Sequence, residues 1–423
     1  MKKKSVCLIF RSAYLDSVPT LHGLIDLMTR NGYSIDVFSF LSPHTTTPKF
    51  ESRNVRFIDI TNIIEESAGL KKNNLKISRL WILFKRAIRK LFNFIGGFAE
   101  INRLYKIWTT RPYSFFIVVE PEGIPFLKHI AYKSSILYRF LGIPFIYLSL
   151  ELILSYELFN PRESVFKKLE RVYSKRSFFN IIQDKDRGKL FAQDNFIPMH
   201  KLEYLPNSPL MLAEKSKSRY WHQEFGLEDN IKVVLHPGDF AEWTTLEDVI
   251  SSTQLWPTGW ILVIHTTLIN DKMPEAKLIR WEFLKKLASG NPKVVFSQHP
   301  ASRQKYDKLV SSADVIIAFP TPTGNARHLL TNMRVIGLSS GKASYALRSG
   351  LPVIVNNKTT LGKFVTETGC GVSVETASEI GSALRKIESN YKQYSEMAYK
   401  TFEEHLQFEK HFKKILRRIE KYL

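Results

Sequence analysis

The sequence predicts an α/β protein made of two doubly wound parallel-sheet domains that face each other across a cleft. Three observations predict it. Short apolar runs alternate with helical patterns along most of the chain. A proline-framed junction, Tyr204-Leu-Pro-Asn-Ser-Pro209, interrupts this alternation, which then restarts. The length of 423 residues exceeds what one core supports and suits two domains of roughly 200 residues each.

The elements follow in order. Val6–Phe10 reads as a strand, residues 18–31 as a helix closed by Asn31-Gly32, and Ser34–Phe40 as the next strand. Phe115–Val119, Pro144–Ser149 and Phe179–Gln183 are further strands, ending at Glu120, Glu151 and Asp184. After the junction come strands at Ile231–Leu235, Trp260–His265, Lys293–Phe296, Val315–Phe319 and Leu351–Val355. Thr244-x-x-Glu247 and Thr376-x-x-Glu379 have the spacing of capping boxes, in which a threonine hydroxyl and a glutamate reciprocally satisfy free amides. From about Tyr391 the chain reads as one long charged helix. The domains therefore run 1–208, 209–390 and 391–423, the last a helix returning toward the first domain. In doubly wound sheets ligands sit at the carboxyl ends of the strands.

Composition narrows the function. Hydrophobic content of 44% and charged content of 24% are those of an ordinary globular protein, but the net charge is +21. Residues 1–210 hold 32 Lys and Arg against 18 Asp and Glu, so the surplus is concentrated there. Residues 70–111 hold 11 basic residues against Glu100 alone, interleaved with Leu80, Trp81, Phe84, Ile88, Phe92 and Ile95 at helical spacing. That pattern fits a helix lying on an anionic membrane surface, the other reading being a covering helix of the first domain. Base-reading or base-stacking modules are missing, which argues against a nucleic-acid partner. Cys7 and Cys370 make neither a disulfide framework nor a metal cluster and read as buried, reduced thiols. The apolar run before Arg11 is too short for a signal-peptide core and no stretch suits a membrane span, so a cytoplasmic protein peripheral to the inner face of the membrane is expected.

The most informative run is Gly337-Leu-Ser-Ser-Gly-Lys-Ala-Ser-Tyr-Ala-Leu-Arg-Ser-Gly350-Leu-Pro-Val-Ile-Val355. A Ser339-Ser340-Gly341-Lys342 turn feeds a short helix that stops at Gly350. Unpaired N–H groups and the positive end of the helix dipole suit a phosphate there, and Lys342 adds a full charge.

With two such domains and this run, the chain resembles the GT-B glycosyltransferases, most closely glycosyltransferase family 4 and its bacterial surface-polysaccharide relatives. Lys201–Ser208 is similar to the interdomain Pro-Asn junction of that group. Val233–Gly238 followed by Leu246–Ile250 resembles the first strand, glycine loop and helix of its donor domain. The family usually carries two glutamates eight residues apart; here Gly337 and Tyr345 occupy those places, while Lys342 fits the lysine of a Pro/Ser-x-Lys turn. The resemblance implies two Rossmann-like domains and a nucleotide diphosphate-sugar donor, UDP-sugar above all.

The expected function is a metal-independent hexosyltransferase that moves sugar to a lipid-linked or polysaccharide acceptor in surface glycan synthesis. No metal ligand set and no cofactor beyond the co-substrate are expected. The donor side comprises Gly238, His236, His265, Ser297, Ser339, Ser340, Gly341, Lys342 and Tyr345. Glu120 and Glu151, at strand ends, are the candidate catalytic carboxylates, because such a group can orient or deprotonate a hydroxyl. Arg11 and Glu122 are candidates for the acceptor side of the cleft, and Thr321–Asn325 reads as a loop over it. The two missing family glutamates favour a second reading, a catalytically silent relative serving as a membrane-associated binding or scaffold subunit.

Overall fold

The computed structural model describes residues 4–12, 15, 18–41, 48, 50–60, 113–134, 142–158, 161–211, 216–268, 273–321 and 330–423. The basic segment 70–111 lies outside the described residues, as do residues 322–325 of the expected loop.

The first sheet contains β1 (Ser5–Phe10), β2 (Ser34–Ser39), β3 (Val55–Asp59), β4 (Phe115–Val119), β5 (Phe145–Leu148), β6 (Asn180–Ile182) and β7 (Leu202–Tyr204), in the order β3-β2-β1-β4-β5-β6-β7. The second contains β8 (Lys232–Pro237), β9 (Trp260–Thr266), β10 (Val294–Gln298), β11 (Val315–Ala318), β12 (Val353–Asn356) and β13 (Gly371–Val374), in the order β10-β9-β8-β11-β12-β13. All described pairings are parallel. The central strands are unbroken apolar runs such as Val6–Phe10 and Phe115–Val119 because helices cover both faces of a parallel sheet, so alternate residues cannot be polar.

Each sheet has one point where the winding direction reverses. In the first it lies between β1 and β4, where Phe10 pairs with Val119; in the second it lies between β8 and β11. Loops leaving two such strands diverge and open a crevice between them. The loop after β1 carries Arg11, and β4 is followed by Glu120 and Glu122. The loop after β8 carries Gly238.

The two domains meet directly between the loop after β5 and the short helix Leu330–Arg334. Asn332 Nδ2 donates to Glu151 Oε2 at 2.6 Å, and Asn332 Oδ1 accepts the Leu152 N–H at 3.1 Å. Glu157 Oε1 accepts both the N–H and the hydroxyl of Thr331. Arg187, 1% exposed, ties the same loop together through Leu150 O and Gln183 Oε1, at 3.0 and 2.8 Å. The carboxyl ends of both sheets therefore border one interdomain cleft.

Three local expectations need correction. The terminal segment is two helices, Tyr391–Thr401 and Phe408–Tyr422, separated by a π-helical turn at Phe402–Leu406 and an extended Gln407. The second packs Phe408, Phe412, Ile415 and Ile419 into the first domain's core, while Ala398 and Phe402 belong to the second's. Gln407 is where the chain turns from one core to the other. Neither capping box forms. Thr244 ends a 3-10 turn and its hydroxyl bonds Ala241 O, leaving Thr245 in the left-handed region (φ 44°) to start the helix Leu246–Ser252. Thr376 precedes a 3-10 turn without capping it by its side chain, and Glu379 Oε2 accepts the Glu375 N–H, one residue before the amide a capping box would satisfy.

Candidate functional site

The run singled out above folds as a 3-10 turn, Gly337–Ser339, followed by the helix Gly341–Arg348 and then β12. Ser340 is the N-cap, its hydroxyl accepting the Ala343 N–H at 3.3 Å. The Ser339 and Ser340 N–H groups close the 3-10 turn onto Ile336 O and Gly337 O. The donors that helix geometry leaves toward an anion are therefore those of Gly341 and Lys342. Ser339 contributes its hydroxyl to Ile336 O rather than to the cleft.

Lys342 projects from this helix start to the switch point of the second sheet. Its Nζ donates to His236 Nε2 at 2.8 Å and to Asp239 O at 2.9 Å, and lies 5.5 Å from the centre of the Trp243 ring. Gly238, with φ of 87°, makes the bend that brings the Asp239 carbonyl round, a conformation L side chains rarely adopt. Burial lowers the Lys342 pKa to about 7, with Asp239 opposing the shift. His236 is fully buried, and burial, then the Lys342 charge, hold its pKa well below the ordinary range. A neutral His236 that accepts through Nε2 carries its proton on Nδ1, which has no hydrogen-bond partner. The result is one cation held over a glycine loop by neutral acceptors and an aromatic face.

His265 and Ser297 sit in the floor beneath this loop. His265 Nδ1 and Ser297 Oγ are 3.0 Å apart, the ring meets Trp221 edge-on, and burial lowers the His265 pKa to about 4. What His265 offers the loop is its carbonyl, which accepts the Gly238 N–H at 2.8 Å. Tyr345 is nine-tenths buried in the second core, its ring edge-on to Tyr306 at 4.9 Å. His236, Gly238, Gly341 and Lys342 are thus brought together, with Ser339 and Ser340 shaping the helix start and His265 and Ser297 below.

Across the cleft, Glu120 begins the helix Glu120–Ser134 with φ of 60°, unusual for a side chain of its size. Its Oε1 accepts the N–H groups of Leu150 and Glu151, the latter at 2.8 Å. Burial raises the Glu120 pKa well above the carboxylate range, and the neighbouring Glu122 and Glu151 charges add to this. Arg11 packs its guanidinium over Phe40 and Phe126, 5.8 and 5.5 Å from their ring centres. Glu151 is held by Asn332, so it spans the domain interface. Sequence reasoning gave no role here to Trp243, Asn332 or Asp184, although Trp243 lies in the turn after Gly238 and Asp184 directly after an apolar strand. Among the described residues no cluster of three His, Cys, Asp or Glu is arranged to hold a metal ion.

Comparison with solved structures decides the architecture. Sucrose-phosphate synthase of Thermosynechococcus elongatus superposes with a TM-score of 0.67 at 13% identity, covering 99% of this chain and 100% of that one. Anabaena HepE in complex with UDP-glucose gives 0.62 at 10%, covering 99% of each chain. The trehalose 6-phosphate synthase of Burkholderia multivorans gives 0.60 at 10%, covering 100% of this chain and 99% of that one. The fold is GT-B. Residues 338–419 also match the family described as glucosyltransferase 3-like, C-terminal domain. No curated protein sequence matches the chain. The matched segment begins one residue after Gly337, so it includes the Ser340 cap and Lys342.

Proposed function

We propose that this chain is a metal-independent glycosyltransferase that moves a sugar from a nucleotide diphosphate-sugar, with UDP-sugar first, to a lipid-linked or polysaccharide acceptor at the cytoplasmic face of a membrane. One observation carries the reading: Lys342 and the helix start stand at the switch point of the second sheet, and the acidic pair Glu120 and Glu122 stands at that of the first. The match of residues 338–419 and the UDP-glucose complex of the HepE neighbour support it.

In this scheme the acceptor oxygen bonds the anomeric carbon as the bond to the diphosphate breaks. The negative charge that grows on the leaving diphosphate is met by the Lys342 ammonium and the Gly341 and Lys342 N–H groups, already in place. The hydroxyl proton passes to a carboxylate on the acceptor side, Glu120 being the candidate. The cation comes from the chain, so this scheme asks for no metal. The test is a thermal-shift and calorimetric screen against UDP-, GDP-, ADP- and CMP-sugars, followed by product analysis with candidate acceptors. Stabilisation by one nucleotide class and transfer are expected. Binding without transfer or hydrolysis would favour the silent-relative reading, and no binding at all would remove the donor assignment.

The membrane assignment is supported by the charge and apolar pattern of residues 70–111. The protein should co-float with anionic vesicles at low salt and separate from them at high salt. Failure to co-float at low salt would remove the assignment.

A further inference from the structure

The turn that starts the Lys342 helix is gripped by residues of the other domain. Asp184 follows β6 and caps its own helix, Lys185–Asn195, with Oδ1 accepting the Arg187 N–H at 2.9 Å. Its second oxygen, Oδ2, accepts the Leu338 N–H at 3.1 Å. Asn207 takes the other side. Its N–H donates to Leu338 O at 2.9 Å, its Nδ2 donates to Ser339 O at 3.1 Å, and its carbonyl accepts the Ser344 hydroxyl at 2.6 Å. Asn207 Oδ1 in turn accepts the Thr20 hydroxyl at 2.8 Å, on the first domain's helix Pro19–Arg30.

Leu338 is thus held at both its N–H and its C=O from outside its own domain. The fit at the preceding residue is close. Gly337 has a φ of 37°, and a Cβ there would lie 2.5 Å from Asp184 Oδ2. At Gly341 a Cβ would meet Asn207 Nδ2 at 3.4 Å. The glycine at 337 lets the carboxylate approach the turn, whereas a Cβ at 341 would do no more than touch the amide.

We propose that Asp184 and Asn207 are positioning residues for the Lys342 site: through them the first domain sets the turn Gly337–Ser340, so the anion-facing helix start takes its working geometry only while the two domains are apposed. The consequence for ligand binding rests on the reading of Lys342 as a diphosphate contact. The consequence for the turn does not.

The test uses Asp184→Asn and Asp184→Ser, both good N-caps that keep the Arg187 bond. The first turns an amide NH2 toward Leu338, and the second is too short to reach it. Asp186→Ala, exposed on the same helix and paired with Lys189 at 3.5 Å, is the control. Amide exchange over residues 337–344 is measured without ligand, and UDP affinity by calorimetry. Exchange should quicken at least fivefold in both Asp184 variants, with protection of the Lys185–Asn195 helix retained and the control unchanged. UDP binding should weaken about tenfold, as for loss of one hydrogen bond to a charged acceptor. Unchanged exchange over 337–344 in both variants overturns the proposal whether or not UDP binds. Faster exchange with full UDP affinity overturns its consequence for the site. If the unsubstituted protein binds no UDP, the donor-site reading fails, and exchange alone decides whether the first domain sets the turn.

Discussion

Lys342 Nζ and His236 Nε2 lie 2.8 Å apart, a lysine ammonium held by a buried, neutral imidazole instead of a carboxylate. A carboxylate would neutralise the charge before a diphosphate arrived. Neutral acceptors fix the ammonium in place and leave its charge for the ligand. Lys342→Ala should therefore weaken UDP binding by about ten- to a hundredfold, the range for losing a hydrogen bond to a charged group in a partly buried site. Unchanged UDP affinity in calorimetry would separate Lys342 from the diphosphate.

The same pair makes binding pH-dependent. The Lys342 pKa is lowered from 10.5 to about 7, so between these values the unfolded chain holds more protons than the native one. The cost of burying the charge is full below pH 7 and fades as pH rises, so stability rises with pH across this window. A diphosphate favours the charged lysine, so UDP binding near pH 8 should take up a proton. Asp239, itself paired with Lys277 at 2.8 Å, and the neutral His236 are the titratable groups facing Lys342. Calorimetry in buffers of different ionisation enthalpy should show this uptake, and Lys342→Met should abolish it.

Glu120→Gln separates a structural carboxyl from a chemical one. Both N–H groups from the 150–151 loop fall on Oε1, an acceptor the amide keeps. The Glu120 pKa is raised, so its contribution to stability is complete below the unfolded value of 4.5 and is lost as pH rises through the folded pKa. An amide never ionises. The variant should be at least as stable as the unsubstituted protein at pH 8 in denaturant titrations, yet lose transfer by about a hundredfold or more if Glu120 receives the acceptor proton. Full activity in a stable variant would assign Glu120 to loop support alone.

Asn332→Ala leaves the buried Leu152 N–H without an acceptor and frees Glu151 from its cross-domain partner. Asn332 is 2% exposed, so water cannot readily replace it. The expected loss is about 1–3 kcal/mol in urea titration, for one buried donor left unsatisfied. A loss below about 0.5 kcal/mol would mean that this contact does not hold the domains together.

Gly350→Ala tests the end of the Lys342 helix. Gly350 has a φ of 66°, and a Cβ there would overlap the Tyr399 ring. Strain and overpacking should together cost about 2–4 kcal/mol, read as a shift in denaturation midpoint. A neutral result would require Tyr399 to move without cost.

Strands were the most legible part of the sequence, since runs such as Val6–Phe10 and Trp260–Ile264 are apolar at every position. The break in the terminal helix was not, because Gln407 is neither glycine nor proline. What bends the chain there is that residues on its two sides pack into different cores. The capping box at Thr244 failed for a related reason. Thr245 enters the left-handed region and its hydroxyl lies 3.2 Å from that of Thr321, a neighbour remote in sequence. Within the site, the Ser-Ser-Gly-Lys turn could be read locally. Its partners could not: His236 is 106 residues from Lys342, and Asp184 is 154 from Leu338. Sequence spacing within one element carries no record of which loops a fold brings opposite.

The helix Phe408–Tyr422 seals the hydrophobic interior of the first sheet. Phe408 packs so closely on Gly23 that a Cβ there would lie 2.8 Å from its ring, Arg418 pairs with Glu203 at 2.6 Å, and Tyr422 stacks on Phe178 at 4.5 Å. During synthesis, then, the part of the chain made first waits for the part made last. The leading half emerges from the ribosome with an apolar groove beside the helix Pro19–Arg30, and that groove stays open while the whole second sheet is translated. A ribosome stalled before residue 408 would hold a nearly finished second domain tethered to an unfinished first.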